Sequence, residues 1–362
     1  MLVHRPRLNL SSPRHQRTGF FCLGALREVF VLASAVSIVT VCLWQSSAFM
    51  KVHLAADKQP NARKLLPVLA LNVDRERGAV LAHVWGGQHD EISLDTGDVT
   101  QQTIFPEVIA YDASQRNSVV AHLSEWAEGG AIHHRVDIFR RGEILISEEF
   151  GTQSQTSATV NVSADGTYAI VMTLEGNAIG WELRDEEPKR HEFTLEPLNV
   201  ENNLSPDGNR LFVSADQATP YFCDSRTGQS KVELQGLAGF CCCSEWTSDG
   251  RYLAVGNQHG DVIVFDTTTG KQVWHQRLDF MFARAVSFSL DGTQLACGGF
   301  DHKTRIWNLS EPEQPPKELK GQYGIVRGLV FGPNDQTLVS ASFEGTIHEW
   351  SVATGQLLRQ LR

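Results

Sequence analysis

The sequence predicts an all-β fold, seven four-stranded antiparallel blades in a propeller, preceded by one N-terminal transmembrane helix. Three observations carry this. The chain has 362 residues, and its body repeats a turn at a nearly constant interval. Between those turns lie short alternating apolar runs, the pattern of strands rather than helices. Residues 29–50 hold no formal charge, unlike any other stretch of the chain.

The N-terminal part comes first. Residues 1–28 form a basic leader with Arg5, Arg7, Arg14, Arg17 and Arg27 against the single acid Glu28. The 22 uncharged residues that follow would span about 30 Å of hydrocarbon as a helix, at about 1.5 Å per residue. Three readings stay open for residues 29–50: an uncleaved anchor, favoured by the long Arg-rich leader, a cleavable signal peptide, and a buried core helix. Ser46 and Ala48 supply the small residues that a signal peptidase needs. Five Lys/Arg precede the segment and four (Lys51, Lys58, Arg63, Lys64) follow it closely. That margin keeps the leader on the cytoplasmic side and places the large domain outside. Residues 51–65 then read as a polar linker, with Lys51-Val-His-Leu-Ala as an alternative edge strand.

Charge excludes one class of partner. The formal net charge is −10, and taking away the first fifty residues leaves 27 basic and 41 acidic residues, a net of −14. A body that acidic repels phosphate backbones, so nucleic acid is not an expected partner.

From residue 66 to 362 the chain is a repeat. Apolar runs end in Val162-Ser-Ala-Asp165-Gly166, Leu204-Ser-Pro-Asp207-Gly208, Trp246-Thr-Ser-Asp249-Gly250, Phe288-Ser-Leu-Asp291-Gly292 and Phe331-Gly-Pro-Asn334-Asp335. The turn residue steps from 165 to 207, 249, 291 and 334, intervals of 42, 42, 42 and 43. Two weaker units lie upstream, at Asp74 and Ala110-Tyr-Asp-Ala-Ser114. The second is lengthened by an insertion expected around Gly129 to His134. Asp-Gly supplies the positive φ that tight hairpins require. A sheet of four short strands exposes two apolar faces, and seven such sheets bury them by packing around an axis. The last unit contains its own fourth strand, residues 356–361, so the ring has no need of an N-terminal strand to complete that blade.

At these residues the chain resembles the WD-repeat family. Leu295-Ala-Cys-Gly-Gly-Phe-Asp301-His-Lys-Thr-Arg-Ile-Trp307-Asn308 is similar to the family's central pattern, with Asp301 as the turn acid and Trp307 as the signature Trp. The stretch from Leu338 through Glu344 to Trp350-Ser351 is a second match, and Trp181-Glu182 a third Trp-acid pair. Asp165, Trp181, Asp207, Asp249, Asp291, Asp301, Trp307 and Trp350 form the repeat signature. The family's Gly-His before the first strand is absent, Gly321-Gln322 being nearest, so its Asp-His-Ser-Trp hydrogen-bonded network cannot be complete in any blade.

The resemblance implies that loops from strand four to strand one and from strand two to strand three share one rim. In the last three blades these loops hold Phe240, Phe280, Met281, Phe282, Phe300, Tyr323 and Phe343, interleaved with Arg284 and Arg327. Aromatics with Arg are the composition of interface hot spots, which makes this rim the candidate binding surface for a protein or peptide. The competing reading has several of them turned inward as plugs between blades.

Enzymatic chemistry finds little support. Nucleophile elbows, phosphate loops, HExxH and CxxC are all absent, and no catalytic residue, metal ligand or cofactor is assigned. His133-His134 reads as a solvated loop, and Cys241-Cys242-Cys243 as small residues packed near a crowded axis, with Cys242 in the place of Arg284 and Arg327. The expected function is a membrane-tethered, non-catalytic interaction platform. The alternative is an extracytoplasmic propeller enzyme, lactonase- or quinoprotein-like, with an axial active site.

Overall fold

The computed structural model describes residues 68–361, apart from short stretches at 76, 85–87, 105–107, 116–117, 129–130, 152–157, 174, 186, 197, 216–218, 238, 279–281 and 322–323. The leader, the apolar segment 29–50, the linker and the alternative edge strand 51–55 lie outside the described residues. Within residues 68–361 are seven four-stranded sheets in which chain order is spatial order. Blades 1 to 7 cover residues 68–104, 108–151, 158–194, 198–233, 241–277, 283–319 and 326–360. All neighbouring strands run antiparallel.

The Asp turns show why they recur. In four blades the hydroxyl two residues before the Asp donates to its carboxylate: Ser163 to Asp165, Ser205 to Asp207, Thr247 to Asp249 and Ser289 to Asp291, at 2.6 to 2.7 Å. The same hydroxyl accepts a backbone N–H five residues on, from Tyr168, Arg210, Tyr252 and Gln294. Glycines 166, 208, 250 and 292 then take φ of 68°, 71°, 70° and 69°, where a side chain would be strained. In blade 7 Asp335 occupies that position at φ 59°, and its carboxylate accepts from Leu290 N of blade 6 at 2.7 Å. Replacing Asp291 with Ala removes acceptors for Ser289, Thr293 N and Thr293 Oγ1, and should cost about 1 to 2 kcal/mol in urea unfolding.

Six buried apolar clusters each straddle one interface between blades: 2 with 3, 3 with 4, 4 with 5, 5 with 6, 6 with 7, and 7 with 1. Close approach is built in. A Cβ on Gly256 would stand 2.9 Å from Ala283 of blade 6, and one on Gly298, 42 residues on, 2.5 Å from Val326 of blade 7.

Ring closure uses packing instead of a shared strand. The four strands of blade 7 come from residues 326–360 alone, as the sequence indicated. Blade 7 meets blade 1 through Val339, Ala341 and Ile347 against Val80, Ala82 and Ile92. Arg359, held by Glu349 at 2.6 Å, donates to the carbonyls of Leu94 and Asp95, while Arg75 donates to Gly332 O at 3.2 Å.

The insertion in blade 2 is a surprise in form. It appears as longer strands (Val119–Glu128, Ala131–Arg140 and Glu143–Gly151) and not as a long loop. His133 and His134 therefore sit on a strand. His134 is fully buried, 3.1 Å from Glu125 and stacked on Phe150, while His133 stacks on Trp126. The two rings point opposite ways, as strand alternation requires.

Candidate functional site

The innermost strands surround an axial cavity of about 450 Å³. Five of them carry a β-bulge at equivalent points: between Val68 and Ala70, Val108 and Ala110, Cys241 and Cys243, Ala283 and Ala285, and Val326 and Gly328. A bulge breaks the alternation and re-aims the extra side chain. In blades 5 to 7 the extra residues are Cys242, Arg284 and Arg327, and all three line the cavity. The equivalence visible in the sequence is thus a shared backbone feature. The two arginines belong to the mouth of the axial channel and not to the loops above it.

Around that mouth the loop aromatics divide into two kinds. Phe300 is 45% exposed and packs against Phe282, ring centroids 5.2 Å apart. Phe282 is held at φ 64° with its N–H on Gln258 O, a strained conformation for an aromatic residue. Phe343 lies beneath the Arg327 guanidinium, 5.6 Å from its ring centre. Phe240 is 8% exposed and serves as an inward plug. Phe280, Met281 and Tyr323 fall outside the described residues.

Deeper in the channel a polar girdle links neighbouring blades. Asn72 donates to Asp112, which accepts from Val162 N; Asn161 donates to Asn202, Asn203 to Ser244 O, and Ser244 to Glu201. Burial pushes the carboxyls up: Asp112 to about 6, Glu201 to about 7 and Glu245 to about 8. The Ser244 hydroxyl and Arg284 partly offset this at Glu201, and Arg75 does so at Glu245. Sequence reading missed this girdle, although the signal was present. Asn161, Asn203, Glu245 and Ser287 follow one another at the same 42-residue step.

The cysteines behave as packing residues. All five described cysteines are free and buried. Burial pushes the thiols of Cys223, Cys241 and Cys297 up to about 12, and Cys243 also well above the ordinary range, which removes thiolate character near neutrality.

The signature tryptophans are core residues. Trp350 donates from Nε1 to Ser340 Oγ at 2.7 Å, one limb of the network that the missing Gly-His leaves incomplete. Asp301 pairs with Arg305 at 2.7 Å, while His302 accepts Gly324 N. Trp307 meets Trp274 of blade 5 edge to face, and Trp181 is buried between blades 2 and 3.

Comparison with known proteins agrees with this geometry. The family described as WD domain, G-beta repeat matches residues 281–308 and 313–351. The second match combines the outer strand of blade 6 with three strands of blade 7. The chain is 29% identical over 130 residues to the guanine nucleotide-binding protein subunit beta of Zea mays, covering 34% of each chain. It is 27% identical over 136 residues to subunit beta-5b of Danio rerio, 36% of this chain and 34% of that one. The matched region thus spans about a third of the length of these relatives. Among solved structures it is similar to the β-propeller domain of Cps50 (Swd1) from Myceliophteria thermophila, with TM-score 0.63 and 13% identity, covering 81% of this chain and 100% of that one. That likeness is one of fold.

The chain folds as a seven-bladed β-propeller, and within it residues 281–308 and 313–351 match the WD40 repeat. Over about a third of its length it is similar in sequence to G-protein β subunits. Among the described residues no group of three or more His, Cys, Asp or Glu is placed to hold a metal ion.

Proposed function

We propose that this chain is a membrane-tethered interaction platform that captures a protein or peptide at the axial mouth. One observation carries the reading: Arg284 and Arg327 stand on adjacent bulges at the cavity, beside Phe343 and the exposed Phe300, which packs on Phe282. A cation pair walled by aromatic rings fits a partner segment with an acidic group next to an apolar side chain. The acidic body surrounding that mouth disfavours nucleic acid. Segment 29–50 supplies the tether, and the basic leader argues for a propeller on the outer side of the membrane.

Two measurements test the two halves separately. Full-length protein should stay with membranes through alkaline carbonate washing, and its release would remove the tether. Proximity labelling in the native cell, followed by capture with wild-type chain, should identify a partner. Arg284→Ala, Arg327→Ala and Phe300→Ala should each weaken that partner by about 1 to 4 kcal/mol at the central positions, with little change in melting temperature. Variants that melt early yet bind normally when cooled would take the mouth out of the hypothesis.

A further inference from the structure

Six interfaces of the ring are sealed by buried aliphatic and aromatic clusters, but that between blades 1 and 2 has no such cluster among the described residues. Three imidazoles stand there instead. His83 Nδ1 lies 3.2 Å from His89 Nε2, and the His89 ring stacks on His122 with centroids 5.0 Å apart. Tyr111 packs on all three rings, and Phe139 closes on His122. A cavity of about 520 Å³ borders them, lined by His89, His122, Tyr111, Phe139 and the flanking turns. Blade 2 therefore meets blade 1 across a hollow, polar seam.

We propose that this seam is an acid-operated opening in the ring: protonation of the stacked imidazoles separates blade 1 from blade 2 while the six apolar interfaces hold.

The charged neighbours decide whether imidazolium ions could be tolerated in place. Blade 1 presents Asp74, Arg77, Asp90 and Glu91, and blade 2 presents Tyr111, Asp112, Asp137 and Arg141. The carboxylates already have donors. Asp90 accepts from Gln88 and Gln102, Asp137 from Arg135 and Ser147, Asp112 from Asn72 and Val162 N, and both Asp74 and Glu91 hold Arg77. A second positive charge would stand within about 5 Å of the first, with little water to screen it. Burial, reinforced by the neighbouring imidazoles, holds His83, His89 and His122 down at about 4. Asp90 and Asp137 only partly oppose this.

The direction follows by linkage. A histidine that titrates near 6.5 when the seam is open and near 4 when it is closed binds protons preferentially in the open state. Stability is then complete above 6.5 and is lost as pH falls from 6.5 toward 4. Each such histidine raises the opening constant roughly 30-fold between pH 7.5 and pH 5, before coupling among the three reduces the product. Asp112 acts the other way. Its pKa is raised to about 6 in the closed ring, and that favours closure about tenfold over the same range. One histidine already exceeds it, so the seam opens in acid.

Hydrogen exchange of the full chain at pH 7.5 and pH 5, corrected for intrinsic rates, tests this. Protection in residues 79–93 and 119–123 should fall by roughly 30-fold or more on acidification, while residues 252–265 and 294–308 keep theirs. His89→Gln with His122→Gln should remove most of that loss, and His89→Phe with His122→Phe should do so while filling the hollow with apolar rings. Equal loss across all seven blades, or full acid sensitivity surviving in the folded double variants, would overturn the proposal. Where the variants fail to fold, the distribution of exchange in the wild-type chain decides alone.

Discussion

Removing residues 320–362 should leave a chain without a cooperative unfolding transition. The deletion takes away blade 7, whose apolar side chains serve two partners at once. Ala296, Ile306 and Leu319 of blade 6 lose Phe331, Leu338 and Trp350, and Val80, Ala82 and Ile92 of blade 1 lose Val339, Ala341 and Ile347. Apolar surface of that extent returned to water costs about 25 cal/mol per Å², and each blade has no core of its own to fall back on. Arg75 of blade 1 would lose Gly332 O as an acceptor too. The expected product is expanded and aggregating, seen as a broad thermal scan and as mass above the monomer in light scattering. A monomeric product with one sharp transition would mean that six blades close or stand open unaided, and the shared-core account of the ring would be wrong.

Much of this ring was legible from residue spacing, and the reason is physical. Each blade needs the same turn at the same distance from the axis, so the staple of hydroxyl, Asp and Gly recurs at 42 residues from Asp165 to Asp291. The bulge alignment of Cys242, Arg284 and Arg327 was legible on the same grounds. The insertion in blade 2 could be placed but not shaped. Alternation through Ala131–Arg140 is as good as in any other strand, yet the Gly129-Gly130 pair suggested a loop, although pairing runs as far as Glu128 with Ala131. Its His133 and His134 consequently looked solvated, although the partners that bury His134, Glu125 and Phe150, stand on the two neighbouring strands.

The site was less readable because its parts come from different blades. Phe240 and Phe300 occupy comparable rim loops, and nothing in their local sequence says that one is buried and the other exposed. Depth depends on what the next blade places opposite. The histidines between blades 1 and 2 are the sharper case. They are scattered at 83, 89 and 122 with no motif spacing, and become a group only when the two sheets face each other.

Trp350→Ala should be among the most damaging single substitutions, about 3 to 5 kcal/mol in denaturant unfolding. The side chain is completely buried, in the cluster that joins blades 6 and 7, so the cavity left behind has walls on two sheets and collapses poorly. Volume is only part of the effect. The indole N–H donates to Ser340 Oγ, itself fully buried on the adjacent strand, and each group would otherwise be shut away from water. Trp350→Phe keeps most of the apolar contact and loses the donor, and should cost about 1 to 2 kcal/mol beyond its smaller volume. Ser340→Ala strands the indole nitrogen and should cost about 1 to 3 kcal/mol. Combining Trp350→Phe with Ser340→Ala should cost less than the sum of the two, because the second change removes a hydroxyl that the first has deprived of its donor. Strict additivity would show that the bond contributes nothing to the blade. Trp350 would then matter only as a filler of space, and this limb of the signature network would be without energetic meaning.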